Sequence, residues 1–234
     1  MTYLVVMKRL LLKTTYSLLL CMFFTFYTFS TFESHQSEIE HYQKANSDKK
    51  TLADYQAINE DIMLVLRFSD REIPVVQSRD NQDYVRMNIW KEKDMMGSAM
   101  IDYQASDENV IIHAHSSTRN NEMFTPFKNH DYVIENTEFE IENKQGHERY
   151  QIISYMRLDI EREEDLFFLE TTWRNSEEMN RHIKSMVRLS MLAFPLSIEY
   201  VSKLVTLVTC DANQDHYRYV IIATPLEGEV YESS

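Results

Sequence analysis

The sequence predicts a mainly β domain, barrel or sandwich, behind an apolar N-terminal helix. Three observations predict it. From Ile62 onward, short apolar runs alternate with polar turns, the texture of a mostly antiparallel sheet. One segment, Ser176 to Leu192, carries helical spacing instead. Near the start, Thr14 to Phe32 is nineteen residues long and uncharged. With 234 residues and 44% hydrophobic content, the chain has material for one sizeable core but is short for two.

The elements follow in order. Residues 1–13 form a basic segment carrying Lys8, Arg9 and Lys13. As a helix rising about 1.5 Å per residue, residues 14–32 nearly cross a hydrocarbon core of about 30 Å. The basic flank puts the N-terminus in the cytoplasm and the remainder outside. A cleaved signal peptide is the competing reading; the absence of a small-residue cleavage site near the run's end favours an uncleaved single-pass anchor. Met7 as an alternative start changes none of this. Residues 33–58 are polar, with Ile39, Tyr42, Leu52, Tyr55 and Ile58 as a loose helical stripe, and read as a stalk and lead-in helix.

Residues 59–228 form the expected folded domain, and 229–234 a tail. Its apolar runs are IMLVLRF (62–68), IPVVQ (73–77), NVIIHAH (109–115), DYVIENTEFEI (131–141), RYQIISYMRLDI (149–160), LFFLETTW (166–173), KLVTLVTC (203–210) and YRYVIIATPL (217–226). The helix at 176–192 takes Ser176 as N-cap, acids Glu177 and Glu178 in its first turn, and a stripe of Met179, Ile183, Met186, Val187 and Ser190. Turns rely on Asn and Asp pairs, because only three glycines serve the whole chain. That scarcity also excludes glycine-rich phosphate loops.

The net charge of −13 is more negative still beyond the basic N-terminal segment. An acidic body argues against nucleic acid and suits a partner that brings amines. Cysteine use is the sharper signal. The chain has only Cys21, inside the apolar run, and Cys210, so no intramolecular disulfide joins them. Cys210 closes Thr206-Leu207-Val208-Thr209 and is followed by a polar loop from Asp211 to His216. It therefore stands at a strand end, where a thiol meets solvent. Buried structural cysteine is the bland alternative.

A reactive thiol needs a base or cation, and the tetrahedral species it forms needs a positive donor. His113 and His115 end one strand on the same face, with His115 nearer the loop. His35, His41, His130, His147 and His182 lie in polar or helical surroundings and read as exposed; His216 reads as a rim residue. Arg218 follows on the return strand, where a hairpin lays it beside the cysteine strand, and its guanidinium fork can hold an oxyanion. Spacing alone leaves His113 and His115 both open. No third ligand completes a metal set around His-Ala-His, and the chemistry calls for no cofactor.

TLVTC with Arg218 on the next strand and His115 some hundred residues upstream resembles the sortases of Gram-positive bacteria, class B in particular. The segment from Ile58 to Val85, then GSAMIDY, then NVIIHAHSSTRNNEMFTPF, and the helix before the cysteine strand extend the resemblance over about residues 55–226. It implies an eight-stranded sortase-type β-barrel with an N-terminal helix and one long helix before the cysteine strand. It further implies Cys210 as nucleophile, His115 as acid and base, Arg218 as oxyanion and substrate holder, and Thr209 as a substrate-side residue. The implied reaction cleaves a C-terminal sorting motif after threonine through a thioester. The acyl group then passes to an amine on a pilin lysine or on cell-wall peptide. Implied partners are thus secreted surface proteins or pilins, the peptidoglycan or pilin acceptor, and the cell membrane that holds the anchor. Two departures stand out: Ala114-His115-Ser116 where the family often has Gly-His-Asn, and Asp211-Ala212-Asn213 where it often has an aromatic. A thiol hydrolase using the same three residues, and a tethered β-domain without chemistry, are the competing readings.

Overall fold

The computed structural model describes residues 50–118, 122–194 and 201–226. Eight strands close into a barrel: β1 (Ile62–Arg67), β2 (Glu72–Gln77), β3 (Ala99–Ile101), β4 (Asn109–Ala114), β5 (Glu138–Asn143), β6 (Gly146–Asp159), β7 (Leu204–Cys210) and β8 (Tyr217–Pro225). Their order around the barrel is β1-β2-β3-β4-β7-β8-β6-β5, with β5 closing on β1. Closure leaves no open sheet edge, the usual liability of a β-rich chain. Most pairs are antiparallel, as expected, but β2–β3 and β4–β7 run parallel.

Helix α1 (Leu52–Ile58) starts at a reciprocal cap. Thr51 Oγ1 accepts from the Asp54 amide at 3.2 Å, and the Asp54 carboxylate accepts from the Thr51 amide at 2.8 Å, satisfying two donors that a helix start otherwise leaves unpaired. Its buried Leu52 and Tyr55 pack with Ile62, Val65 and Val76 at one end of the barrel. Helix α3 (Ser176–Arg188) closes the other side, burying Met179, Ile183 and Met186 against Ile153 and Met156 of β6 and Val208 of β7. Ser154, fully buried, donates to the Met186 carbonyl at 2.7 Å, so the last turn of α3 is tied to the sheet by a satisfied polar group.

Several expectations are corrected. Asp131 to Glu135 lies in helix α2 (His130–Glu135), not in a strand. Asn129 caps that helix by accepting from the Asp131 amide at 2.9 Å, and only Val133 in it is buried. LFFLETTW forms a 3-10 helix over Glu163–Leu169 and then an unpaired segment. Strand β3 was absent from the apolar runs because its three residues, all buried, are too few to show alternation. Asn175, not Ser176, caps α3, accepting from the Glu178 amide at 2.9 Å, and the helix stops at Arg188. Of the segment 33–58, only α1 and the two residues before it are described. The expected anchor at 14–32 lies outside the described residues, and no helix among them is long and apolar enough to cross a membrane.

Between β2 and β3 the chain makes a 3-10 helix over Asp83–Arg86 and folds back on it. Tyr84 holds this turn to the barrel: its buried hydroxyl donates to Asp61 at 2.6 Å and accepts from Asn59 at 2.8 Å. Burial pushes the Tyr84 phenol up to about 12. Gly97 closes the loop in the left-handed region at φ 59°. A Cβ there would stand 2.4 Å from the Tyr84 carbonyl oxygen and 2.5 Å from that of Val85, so only glycine fits. Gly97→Ala is expected to cost about 1–3 kcal/mol, read as a lower urea midpoint at unchanged slope.

Candidate active site

The register of β4, β7 and β8 assembles one corner of the barrel. Parallel pairing runs from Asn109↔Leu204 to Ala114↔Thr209, so both strands end at the same rim, and the next residues are His115 and Cys210. Strand β8 returns antiparallel with Cys210 opposite Arg218. Side chains lock this register from both ends. Thr206 Oγ1 donates to Asn109 Oδ1 at 2.8 Å, Thr209 Oγ1 donates to the Ala114 carbonyl at 2.8 Å, and the Ser116 hydroxyl donates to the Cys210 carbonyl. A slip of one residue would break all three and turn Cys210 to the opposite face.

His113, His115, Cys210 and Arg218 line one cavity of about 90 Å³, with Met100 and Val208 as apolar walls. Cys210 is half-buried and free. His115 Nε2 lies 3.0 Å from the Val85 carbonyl. A carbonyl can only accept, so Nε2 carries the hydrogen and Nδ1 is the nitrogen left for proton exchange. The loop closed by Gly97 thus orients this imidazole. Arg218 Nη1 donates to the Asp215 and Tyr217 carbonyls at 2.6 and 2.9 Å. Among the described residues no hydrogen bond engages its Nε or Nη2. Thr209 also lines the cavity, but it is buried and its hydroxyl is spent on Ala114; its contribution there is the register.

The remaining histidines divide. His130 is exposed; His147 is half-buried, its Nδ1 2.7 Å from Glu140; His216 packs on Tyr217 with ring centroids 4.4 Å apart. His182 departs from expectation: its side chain is 10% exposed, packed between Trp173 and Phe167, and burial pushes its imidazole down. His35 and His41 lie outside the described residues. Two residues escaped the sequence reading. Val85 contributes only a backbone carbonyl, which no side-chain pattern shows. Asp102, which accepts from His113 Nε2 at 2.8 Å, offered one faint signal, an acid directly after the apolar triplet Ala99-Met100-Ile101.

Asp211, adjacent to Cys210, is buried, and its carboxylate is engaged by another arginine. Arg157 of β6 donates to it through Nε and Nη2 at 3.0 and 2.8 Å, and the Arg157 guanidinium stacks 3.7 Å above the Tyr217 ring. Burial acts to raise the Asp211 carboxyl, but the Asn213 amide and Arg157 outweigh it and hold the group below its usual range.

No family model matches the chain. A curated relative, sortase B of Listeria monocytogenes, is 25% identical over 174 residues, covering 70% of this chain and 69% of its own length. In sequence and in fold the chain is similar to the class B sortases, which are cysteine transpeptidases. Among solved sortase structures, Clostridium perfringens sortase B aligns at a TM-score of 0.66 and 23% identity, covering 75% of this chain and 99% of that one. The Staphylococcus aureus sortase B–substrate complex aligns at 0.70 and 20% identity, covering 83% and 98%. Both show the sortase fold, the eight-stranded closed barrel found here.

Because the folded-state carboxyl of Asp211 is depressed, its contribution to stability is full above the unfolded value near 4 and is lost as pH falls through the lower folded value. Asp211→Asn is expected to cost about 1–2 kcal/mol at pH 7, with the gap to the unaltered protein closing below about pH 4. Denaturant titrations across that range measure it.

Proposed function

We propose that this chain is a sortase, a single-pass membrane enzyme cytoplasmic at its N-terminus, whose domain at residues 59–228 works outside the cell. It cleaves a C-terminal sorting motif of secreted proteins after threonine and passes the acyl group to an amine, on a pilin lysine or on cell-wall peptide. The single observation that carries this reading is the convergence of Cys210, His115 and Arg218 on one cavity from the ends of three adjacent strands. Support for the anchor comes from the uncharged run at 14–32 and its basic flank.

Roles follow from chemistry. Cys210 Sγ, as thiolate, attacks the threonine carbonyl carbon. The oxyanion that forms is held by Arg218 through Nε and Nη2, while Nη1 stays tied to the turn and fixes the plane of the fork. Protonated His115 gives its Nδ1 proton to the departing amine, and a thioester remains. The incoming amine then attacks the thioester, His115 takes a proton back, and the thiolate leaves. The two departures, at Ala114-His115-Ser116 and Asp211-Ala212-Asn213, leave these roles in place and favour a pilin acceptor over the wall peptide. An acidic body also suits a cationic acceptor.

Cys210→Ala is expected to abolish thioester formation, read by intact-mass analysis of protein incubated with a pooled library of peptides carrying threonine before the scissile bond. Arg218→Lys should lower turnover about 100-fold or more, because an ammonium cannot reproduce the fork; near-normal turnover would reject its oxyanion role. His115→Ala should lower it by about 10²–10⁴, far more than His113→Ala, and the reverse order would exchange the two histidines.

A further inference from the structure

The cavity holds a second imidazole that the scheme above leaves without a task. His113 lies in β4, paired with Val208, two residues before His115, which follows the end of that strand, and both side chains line the cavity. Its Nε2 donates to Asp102, just beyond the end of β3, at 2.8 Å. Asp102 is buried and also accepts from the Gln104 amide and Asn81 Nδ2, each at 2.8 Å. The hydrogen bond from His113, foremost, and then these donors hold its carboxyl below the usual range against its burial. Asp102 is therefore an anion that only accepts, which fixes the hydrogen on His113 Nε2 and leaves Nδ1 as acceptor. The titratable and charged groups facing His113 are Asp102, His115 just past the end of its strand, Cys210 on β7 and Arg218 on β8.

Proton arithmetic supplies the task. A lysine amine has an unperturbed pKa of about 10.4, so at pH 7 roughly one in 2,500 is unprotonated and able to attack. On becoming an amide, the arriving ammonium loses two protons. His115, emptied when the first amine departed, has room for one.

We propose that His113, oriented by Asp102, takes the first proton from the acceptor ammonium, leaving His115 to take the second. This rests on the transpeptidase reading above. The ammonium N–H breaks and its proton bonds to His113 Nδ1. The neutral nitrogen bonds to the thioester carbon, and the second proton passes to His115. The C–S bond then breaks to release thiolate. His113 returns its proton to water, matching the one the first departing amine takes up, so the cycle closes.

His113→Gln tests it, because a glutamine amide still donates to Asp102 but cannot take a proton. The acyl donor is the same peptide library; the acceptors are lysine amide and hydroxylamine, the latter unprotonated at neutral pH. Expected for His113→Gln is at least a tenfold lower ratio of lysine-amide product to thioester formed at pH 7, recovering as pH rises, with no matching loss for hydroxylamine. Asp102→Asn should shift the ratio in the same direction by less. Unchanged lysine-amide transfer in His113→Gln, or an equal loss with both nucleophiles, overturns the proposal while the transpeptidase reading stands. Failure of the unaltered protein to form a thioester on Cys210 overturns that reading and this one together.

Discussion

Everything at the rim depends on the parallel pairing of β4 with β7. Antiparallel neighbours would place the end of one strand beside the start of the other, and His115 and Cys210 would sit at opposite ends of the barrel. Parallel strands require a long crossover, and here the chain between Ala114 and Leu204 supplies it with α2, β5, β6 and α3. That excursion also builds much of the core, since Ile153, Met156, Met179 and Ile183 all come from it. The crossover cost in chain entropy is thus spread over structure that is needed anyway. By contrast Arg218 reaches Cys210 through a hairpin six residues long, so its placement is a local matter. The nucleophile corner therefore joins one contact of short range to one of very long range.

Both imidazoles receive their orientation from the chain between β2 and β4. Val85 supplies a carbonyl to His115, and Asp102 supplies a carboxylate to His113. This stretch has little regular structure, yet it is pinned at several points: Tyr84 to Asp61 and Asn59, Gly97 against the 84–85 carbonyls, and Asn81 to Asp102. Rigid loops of this kind aim side chains that strands merely deliver.

Sequence legibility follows the same division between local and distant. Strands of six or more residues with apolar runs were readable, as was the α3 stripe of Met179, Ile183 and Met186. Strand β3 was not, because three residues carry no period. The run Asp131 to Ile134 reads as a strand on composition, but the cap at Asn129 decides for helix, a case of one side-chain hydrogen bond overriding a weak preference. The hairpin made Cys210 and Arg218 readable as a pair. His113 and His115 could not be separated, since alternation puts both on one face and the structure puts both in one cavity. What distinguishes them is the partner behind each ring, eleven residues away for His113 and thirty for His115, and periodicity carries no information about either. His182 misled for a similar reason: its helix is amphipathic, but Trp173 and Phe167 arrive from outside the helix to cover it.

The charge arrangement makes the same point at the level of electrostatics. A chain of net charge −13 places an aspartate directly after Cys210, and an unpaired carboxylate there would oppose negative charge on sulfur and draw Arg218 to itself. Neither happens, because Arg157 on β6 donates to Asp211 through Nε and Nη2, with Nη2 also reaching Gln214 Oε1, and stacks on Tyr217. Asp102 is likewise consumed by His113, Asn81 and the Gln104 amide. Asp102 and Asp211 thus each have dedicated donors, and among the described residues the arginine facing the cysteine is left with two nitrogens uncommitted. At effective dielectrics of about 20 a single unscreened charge at 4 Å is worth about 4 kcal/mol, which is comparable to what an oxyanion donor contributes. Keeping Asp211 on Arg157 therefore matters to the cavity as much as placing Arg218 in it.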